Sequence, residues 1–305
     1  MNWPGLLAWS TKYHDGTAPS QFKVMSDEDR KFLEAAMEEA FGHVEDPNKV
    51  MQEALNQIRS PERTDEGITT ALEVIDRCCD DVDCARNVEL FDGLQPLLNL
   101  LETHEGPIRM RALEILALLF SNNPHIQEAG VKHGAMKIFL RLTREIPTGS
   151  EERAKAFRAL VALVREVQVF EETLLEGADG MSVILSFLQP EEAAQSREKA
   201  ASFARSLAGA GRLRAGDAEP LMQAITPLMA AVAGESLQYR EMLADCALKL
   251  LLAFPGRCPP PLRGLLQERL SQIQAASDPE QEPELVTLQQ CLAALDAGGA
   301  AASAA

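Results

Sequence analysis

The sequence predicts an all-α protein built from repeated helical units. Residues 155–166 place four apolar side chains on one side of a helix of period 3.6, namely Ala156, Ala159, Leu160 and Leu163. The same pattern stands 44 residues earlier, beginning at Arg111, and 44 residues later, beginning at Lys199. One more shift brings Ala244, Ala247, Leu248 and Leu251 into the same register. An apolar stripe that recurs at one spacing indicates an internal repeat.

A glycine followed by an apolar helix recurs within each unit. Apolar residues follow Gly93, Gly134 and Gly180 at offsets of four, five and eight, which is one helical face. Glycine allows the backbone to turn before a helix. Each unit therefore predicts a short helix, a glycine turn, an apolar helix, a polar loop and a final helix. A repeat of about 40 to 47 residues with this layout is typical of an armadillo-type helical solenoid, whose units stack on one another.

The signals along the chain predict five segments. Ser26 is followed by three acidic residues and Asp46 by Pro47, and both patterns are typical of a helix start. The Gly/Ala/Ser-rich end of the chain has no apolar pattern. We expect a flexible N-terminal arm at 1–25, N-terminal capping helices at 26–62, armadillo repeats at 63–256, C-terminal capping helices at 257–296 and a disordered tail at 297–305.

The net charge favours a protein as the binding partner. The 305 residues include 29 Lys and Arg against 46 Asp and Glu, a formal charge of −17. Because such a field repels phosphate backbones, nucleic acid is not the expected ligand. The sequence shows no segment long enough to span a membrane and no signal peptide. Its six cysteines contain no CxxC pair, and several fall on apolar helix faces. We expect the cytosol as the location, with the nucleus as the alternative.

No catalytic, metal or cofactor motif was found, so the sequence does not predict an enzyme. The five histidines lack the spacing of metal ligands. The glycine-rich segment 209–212 has no following GK[ST] and no preceding strand, and a turn between repeats is the expected structure. Carboxylate pairs are explained by a solvated acidic surface. We therefore predict that the chain acts by binding.

The final helix of each unit carries the candidate binding residues, because in armadillo units this helix lines the inner, concave side. Residues off its apolar stripe include a basic column formed by Arg111, Lys155 and Lys199. Cations placed against the net charge favour contact with an acidic protein surface. A merely solvated face is the alternative. The predicted partner-binding residues are Arg111, Glu114, Lys155, Arg158, Arg165, Lys199, Ser202 and Arg205.

The first residues of the chain form a separate candidate site. Leu6, Leu7 and Trp9 are an apolar cluster, preceded by Trp3 and followed by a polar run of turn-forming residues. This pattern predicts a mobile arm with an apolar end. The alternative is that the cluster docks on the first helices of the same chain.

Several motifs resemble the armadillo-type nucleotide exchange factors of heat shock protein 70. The N-terminal motifs are GLLAWS at 5–10, HDGT at 14–17 and MSDEDRK at 25–31. Further segments that resemble the family are Asp83-Cys84-Ala85, where Asp-Asn-Ala is usual, 126–128 and 163–166. The similarity runs from residue 5 to about residue 256.

This resemblance implies a monomeric co-chaperone that needs no cofactor. Such a factor curves around one lobe of the chaperone's nucleotide-binding domain and displaces the other lobe, so that ADP leaves, ATP enters and the client protein is released. The resemblance also implies that the arm, through Leu6, Leu7 and Trp9, enters the chaperone's substrate domain and helps expel the client.

Two other classes of armadillo protein remain as alternatives. A nuclear-import receptor needs a ladder of Trp and Asn on the inner helices, but both tryptophans here precede the repeats. The second alternative is an armadillo scaffold or peptide-binding adaptor unrelated to chaperones. Only the N-terminal motifs argue against it.

Overall fold

The computed structural model describes residues 26–41, 46–79, 82–177, 179–231, 236–276 and 278–304. Within these ranges the chain forms α-helices and one short 3-10 helix, with no strand. The predicted all-α class is confirmed. The first four helices are α1 (Asp27–Phe41), α2 (Pro47–Arg59), α3 (Asp65–Cys78) and α4 (Val82–Asn87).

The later helices follow the predicted alternation. Their bounds are α5 (Leu94–Thr103), α6 (Pro107–Phe120), α7 (Pro124–Lys132), α8 (Ala135–Glu145), α9 (Glu151–Val164), α10 (Gln168–Glu176), α11 (Gly180–Ser186), α12 (Ala194–Gly209), α13 (Ala215–Ala230), α14 (Leu237–Ala253), α15 (Pro260–Ala276) and α16 (Glu282–Ala304). The 3-10 helix, Pro279–Gln281, precedes α16.

The final helices of successive units pack against one another and carry the core. Helix α6 packs along α9, α12 along α14, and α14 along α16, whereas α9 and α12 meet over a shorter stretch. The repeated apolar positions are buried, including Ala112, Ala156, Ala200 and Ala244, which stand 44 residues apart. Small residues at these points let neighbouring helices approach closely, and one apolar core continues from unit to unit.

Side-chain caps set the start of several helices. The Asp46 carboxylate accepts a hydrogen bond from the Asn48 N–H at 2.9 Å, with Pro47 as the first residue of α2. The Ser26 hydroxyl accepts one from the Asp29 N–H at 3.1 Å. These caps satisfy backbone donors that the first turn leaves without partners. The two helix starts predicted from the sequence are therefore confirmed.

The repeated glycines serve two different purposes. Gly134 has φ +81°, a left-handed conformation that glycine adopts without strain, and it precedes α8. At Gly180 the reason is space, since a Cβ there would lie 2.0 Å from the carbonyl oxygen of Leu174. The sequence pattern located both turns, but backbone freedom explains only the first.

The two ends of the described chain differ from the expected segments. None of the side chains described in α1 is buried, although the sequence gives this helix an apolar stripe. At the other end, α16 continues to Ala304 through the stretch expected to be a disordered tail. Alanine, which is frequent here, is the best helix former. Gly298 is buried against the backbone of Gly256, where a Cβ added at Gly298 would lie 2.9 Å from the Gly256 nitrogen. The predicted arm, residues 1–25, lies outside the described residues.

A buried ion pair joins the unit that ends in α9 to the next one. Arg153 on α9 pairs with the carboxylate of Glu192, and both side chains are almost fully buried. The guanidinium also donates to the carbonyl oxygen of Thr143 at 2.7 Å and lies 4.1 Å from the ring centre of Phe187. That ring stacks on Phe157 at 4.0 Å. The charge is therefore held by hydrogen bonds and an aromatic face on both sides of the unit boundary.

We expect Glu192→Ala to lower the free energy of unfolding by about 3 kcal/mol or more, because it leaves the Arg153 charge buried without its partner. Arg141→Ala is the matched control, since the Arg141–Glu102 pair is 42% and 47% exposed and should contribute at most about 1 kcal/mol. Urea denaturation followed by circular dichroism measures both. Equal losses in the two variants would contradict the prediction.

Candidate partner-binding surface

The exposed sides of α6, α9, α12 and α14 form one surface, here called the third-helix face. Because final helices pack side by side, residues one repeat apart become neighbours across this face. All eight predicted partner-binding residues lie on these helices or directly after them. The structure divides them into three groups with different electrostatic surroundings.

The first group is a ladder of alternating charges. Arg111 Nη2 lies 2.8 Å from Asp76 Oδ2, and Arg111 Nη1 lies 3.2 Å from Glu114 Oε2. Lys155 Nζ lies 3.3 Å from Glu114 Oε1 and also pairs with Glu151. Burial alone would lower the pKa of Lys155, but its hydrogen bonds to Glu151 and Glu114 outweigh burial and raise it. Two cations of the predicted basic column are thus neutralised by their neighbours.

The second group forms a basic pocket with three cations, Arg158, Arg165 and Lys199. Its other lining residues are Ser121, Asn122, Val161, Ala162 and one carboxylate, Glu166. Burial lowers the pKa of Lys199, and the positive charges of Arg165 and Arg158 lower it further. No carboxylate among the described residues lies within ion-pair distance of Arg158 or Lys199, and Arg165 has one weak contact, 3.8 Å from Glu166. The uncompensated positive charge of the third-helix face is therefore concentrated at the junction of α9 and α12.

Two buried polar side chains hold one wall of this basic pocket. Gln127 Nε2 donates to the carbonyl oxygens of Ala162 at 2.9 Å and Arg165 at 3.0 Å. The Glu166 N–H, at a residue with φ +67°, donates to Glu171 Oε1 at 2.9 Å. These bonds satisfy the backbone groups at the end of α9 and fix the turn that carries Arg165. The sequence motifs at 126–128 and 163–166 do not by themselves predict this contact.

The third group lies farther along α12. Arg205 Nη1 is 3.3 Å from Asp245 Oδ2, and Ser202 lines the same depression with Glu198 and Glu241. Carboxylates outnumber cations here, so this region is acidic or neutral. Ser202 and Arg205 consequently differ from the basic pocket in the charge that they offer a partner.

Several other sequence predictions have clear structural outcomes. Cys84 is buried, with Sγ 3.9 Å from Met51 Sδ, and acts as a small apolar residue. The glycine-rich segment ends α12: the Gly211 N–H donates to the Ala208 oxygen and the Arg212 N–H to the Leu207 oxygen. This pair of bonds is a Schellman motif, with Gly211 at φ +68°. The expected turn between repeats is confirmed.

Within the described ranges, no helix is long and apolar enough to cross a membrane. In the same part of the chain, no cluster of three or more His, Cys, Asp or Glu side chains has the arrangement of a metal site. The predicted arm residues Leu6, Leu7 and Trp9 lie outside that part.

Comparison with known proteins confirms the resemblance found in the N-terminal motifs. Residues 4–88 match the family model described as nucleotide exchange factor Fes1. The chain is 31% identical over 161 residues to the Hsp70 nucleotide exchange factor FES1 of Eremothecium gossypii, covering 52% of this chain and 54% of that protein. It is 27% identical over 286 residues to rat Hsp70-binding protein 1, covering 88% and 79%. The chain thus spans about half the length of the first of these relatives.

Solved structures support the same fold. The chain superposes on a designed armadillo repeat protein with a TM-score of 0.61 and 17% identity, covering 80% of this chain and 99% of that one. An engineered protein aligns over 96% of this chain and 68% of its own length, with a TM-score of 0.61 and 15% identity. The predicted armadillo-type solenoid is confirmed.

We expect Lys155→Met, but not Lys199→Met one repeat later, to destabilise the protein. Lys155→Met removes two ion pairs and should lower the free energy of unfolding by about 1 kcal/mol. Lys199→Met removes a cation that burial and two arginines disfavour, and should leave the thermal midpoint unchanged or raise it.

The pH dependence follows from the lowered pKa of Lys199. Its charge opposes folding at every pH below its folded-state pKa, and that cost fades as the pH rises toward the ordinary value of 10.5. The advantage of Lys199→Met should therefore be complete near pH 7 and shrink as the pH rises toward 10.5. Thermal unfolding at several pH values measures it, and a destabilised Lys199→Met protein at pH 7 would contradict this account.

Proposed function

We propose that this protein is a nucleotide exchange factor of heat shock protein 70. In this proposal it binds the chaperone's nucleotide-binding domain through the third-helix face, accelerates ADP release and thereby promotes release of the client. The observation that carries the proposal is the match of residues 4–88 to the exchange-factor family model, joined to an armadillo-type fold. The names of several relatives support it, two of which are given above.

The architecture suits a protein that acts by binding. A stack with one continuous core presents a long surface to a partner, and a ligand shifts the partner's conformation by as much as its affinity differs between the two states. Exchange requires that the factor bind the open nucleotide-binding domain more tightly than the closed, ADP-bound one. The protein then needs a surface complementary to one lobe and no catalytic group of its own. We infer a monomer that works in the cytosol, with the nucleus as the alternative.

The arm has a separate proposed role. Leu6, Leu7 and Trp9 form an apolar run of the kind that a peptide groove accepts. We propose that this run enters the substrate domain of the chaperone and competes with the client.

We expect stoichiometric protein to accelerate release of fluorescent ADP from a cytosolic heat shock protein 70, without hydrolysing ATP itself. Stopped-flow fluorescence measures the release rate, and a designed armadillo protein of similar size serves as the control. An unchanged rate with a sample shown to be folded by circular dichroism would contradict the proposed function.

We expect deletion of residues 1–20 to leave the thermal midpoint and the acceleration of ADP release unchanged, because the deleted segment precedes the helix start at Ser26. Release of a bound client peptide should become less complete, which fluorescence anisotropy measures. A large loss of thermal stability would show that Leu6, Leu7 and Trp9 pack on the chain's own helices. Undiminished client release would show that exchange alone suffices.

A further inference from the structure

We propose that the basic pocket formed by Arg158, Arg165 and Lys199 receives a single oxyanion, a carboxylate or a phosphate, carried by a side chain of the partner protein. The identity of the partner rests on the proposed function, but the capacity of the pocket to bind an oxyanion does not. The pocket is thereby distinguished from the rest of the third-helix face as the point of strongest charge recognition.

The repeat itself supplies the first argument. Lys155 is neutralised by Glu114 on α6, the final helix of the preceding unit, and by Glu151 four residues earlier on its own helix. A shift of 44 residues replaces Lys155 by Lys199, Glu114 by Arg158 and Glu151 by Gln195. The same positions therefore hold a balanced ladder in one unit and an unbalanced cluster of cations in the next. An anion from outside would take the place of the two missing carboxylates.

The clustered cations of the basic pocket also carry an electrostatic cost. Like charges brought together at a partly buried site repel one another, and this repulsion contributes to the lowered pKa of Lys199. The Nε atom of Arg165 is buried and has no hydrogen bond within the described chain, since the carboxylate of Glu166 lies 3.8 Å from it, beyond hydrogen-bond distance. A bound oxyanion relieves the repulsion and can supply a hydrogen-bond acceptor. Arginine suits this task because its planar donors match carboxylate and phosphate oxygens.

The size and rigidity of the basic pocket limit the class of ligand. Its volume is about 230 Å³, and its lining is mainly polar. Sites for small organic molecules are usually larger, about 300 to 1,000 Å³, and mostly apolar. The polar lining with three cations instead favours the end of an acidic side chain. Since Gln127 and Glu171 already fix the wall that carries Arg165, little ordering is required when the anion enters.

Arg158→Glu is the most informative variant, because it restores the acidic residue found one repeat earlier. It should pair with Lys199, raise the pKa of that amine and raise the thermal midpoint while abolishing oxyanion binding. A residue with a merely structural role would not give higher stability together with lost binding. Lys199→Met is the second variant, and Lys155→Met is the matched control, since it removes the same charge from the neutralised ladder.

The first arm uses the protein alone, with inorganic phosphate and acetate as probes. NMR titration should show perturbation at Arg158, Arg165 and Lys199, and bound phosphate should raise the pKa of Lys199 because it favours the charged amine. Affinity for phosphate should fall roughly 10-fold or more in Arg158→Glu and Lys199→Met and persist in Lys155→Met. Equal phosphate binding by all four proteins, or none by the parent protein, would overturn the inference.

The second arm uses the isolated nucleotide-binding domain of heat shock protein 70 and isothermal titration calorimetry. Arg158→Glu and Lys199→Met should weaken the complex roughly 10-fold or more, whereas Lys137→Met, an exposed lysine on α8, should not. Phosphatase treatment of the partner separates the two sources: loss of affinity indicates a phosphorylated side chain, and unchanged affinity indicates a carboxylate.

The two hypotheses fail in distinguishable ways. Faster ADP release by the parent protein, with unchanged partner affinity in Arg158→Glu and Lys199→Met, would overturn the inference about the pocket and leave the proposed function standing. Specific phosphate binding without any effect on ADP release would contradict the proposed function and support an oxyanion pocket.

Discussion

The structure depends on one constraint: a single unit cannot cover its own apolar faces, so its final helix must pack against the final helix of the next unit. This contact buries the alanines and leucines that recur every 44 residues. It also makes neighbours of charged side chains that are roughly one repeat apart in sequence. Arg109 meets Glu152, Arg205 meets Asp245, and Arg240 meets Glu284 across such boundaries. Apolar packing therefore decides which charges face each other.

Because packing creates these pairs, the sign of each charge decides whether a boundary is reinforced or opposed. At the α6–α9 boundary the signs alternate, and Lys155 has its pKa raised. At the α9–α12 boundary three cations meet, the pKa of Lys199 is lowered, and the two helices are in contact over a shorter stretch. One backbone arrangement thus supports a neutral contact in one unit and a charged recess in the next. The difference lies at two positions, occupied by Glu114 and Glu151 in one unit and by Arg158 and Gln195 in the other.

The sequence was sufficient to predict the fold, because period and caps are properties of the local chain. The apolar stripe predicted the helices, and Ser26 and Asp46 predicted two of their starts. The need for glycine at position 180 was not predictable, since the Leu174 carbonyl group that leaves no room for a Cβ there is brought close only when the chain folds. Composition suggested disorder after residue 296, although alanine also favours the helix that forms there.

For the candidate site, the sequence identified the cations but not their partners. The 44-residue register contained that information, since it aligns Lys199 with Lys155 and Arg158 with Glu114.

A solenoid can hold an unfavourable cluster of charges more easily than a protein with one closed core. Its stability is approximately a sum of terms within units and between neighbours, so a repulsive boundary lowers the local terms without disturbing distant ones. Buried ion pairs elsewhere reinforce the stack. The Arg153–Glu192 pair joins the two units that flank the basic pocket, away from the pocket, and Glu284, held by Arg240 and Arg269, ties α16 to α14 and α15. The charge repulsion at Lys199 is therefore confined to the surface where an incoming anion would relieve it.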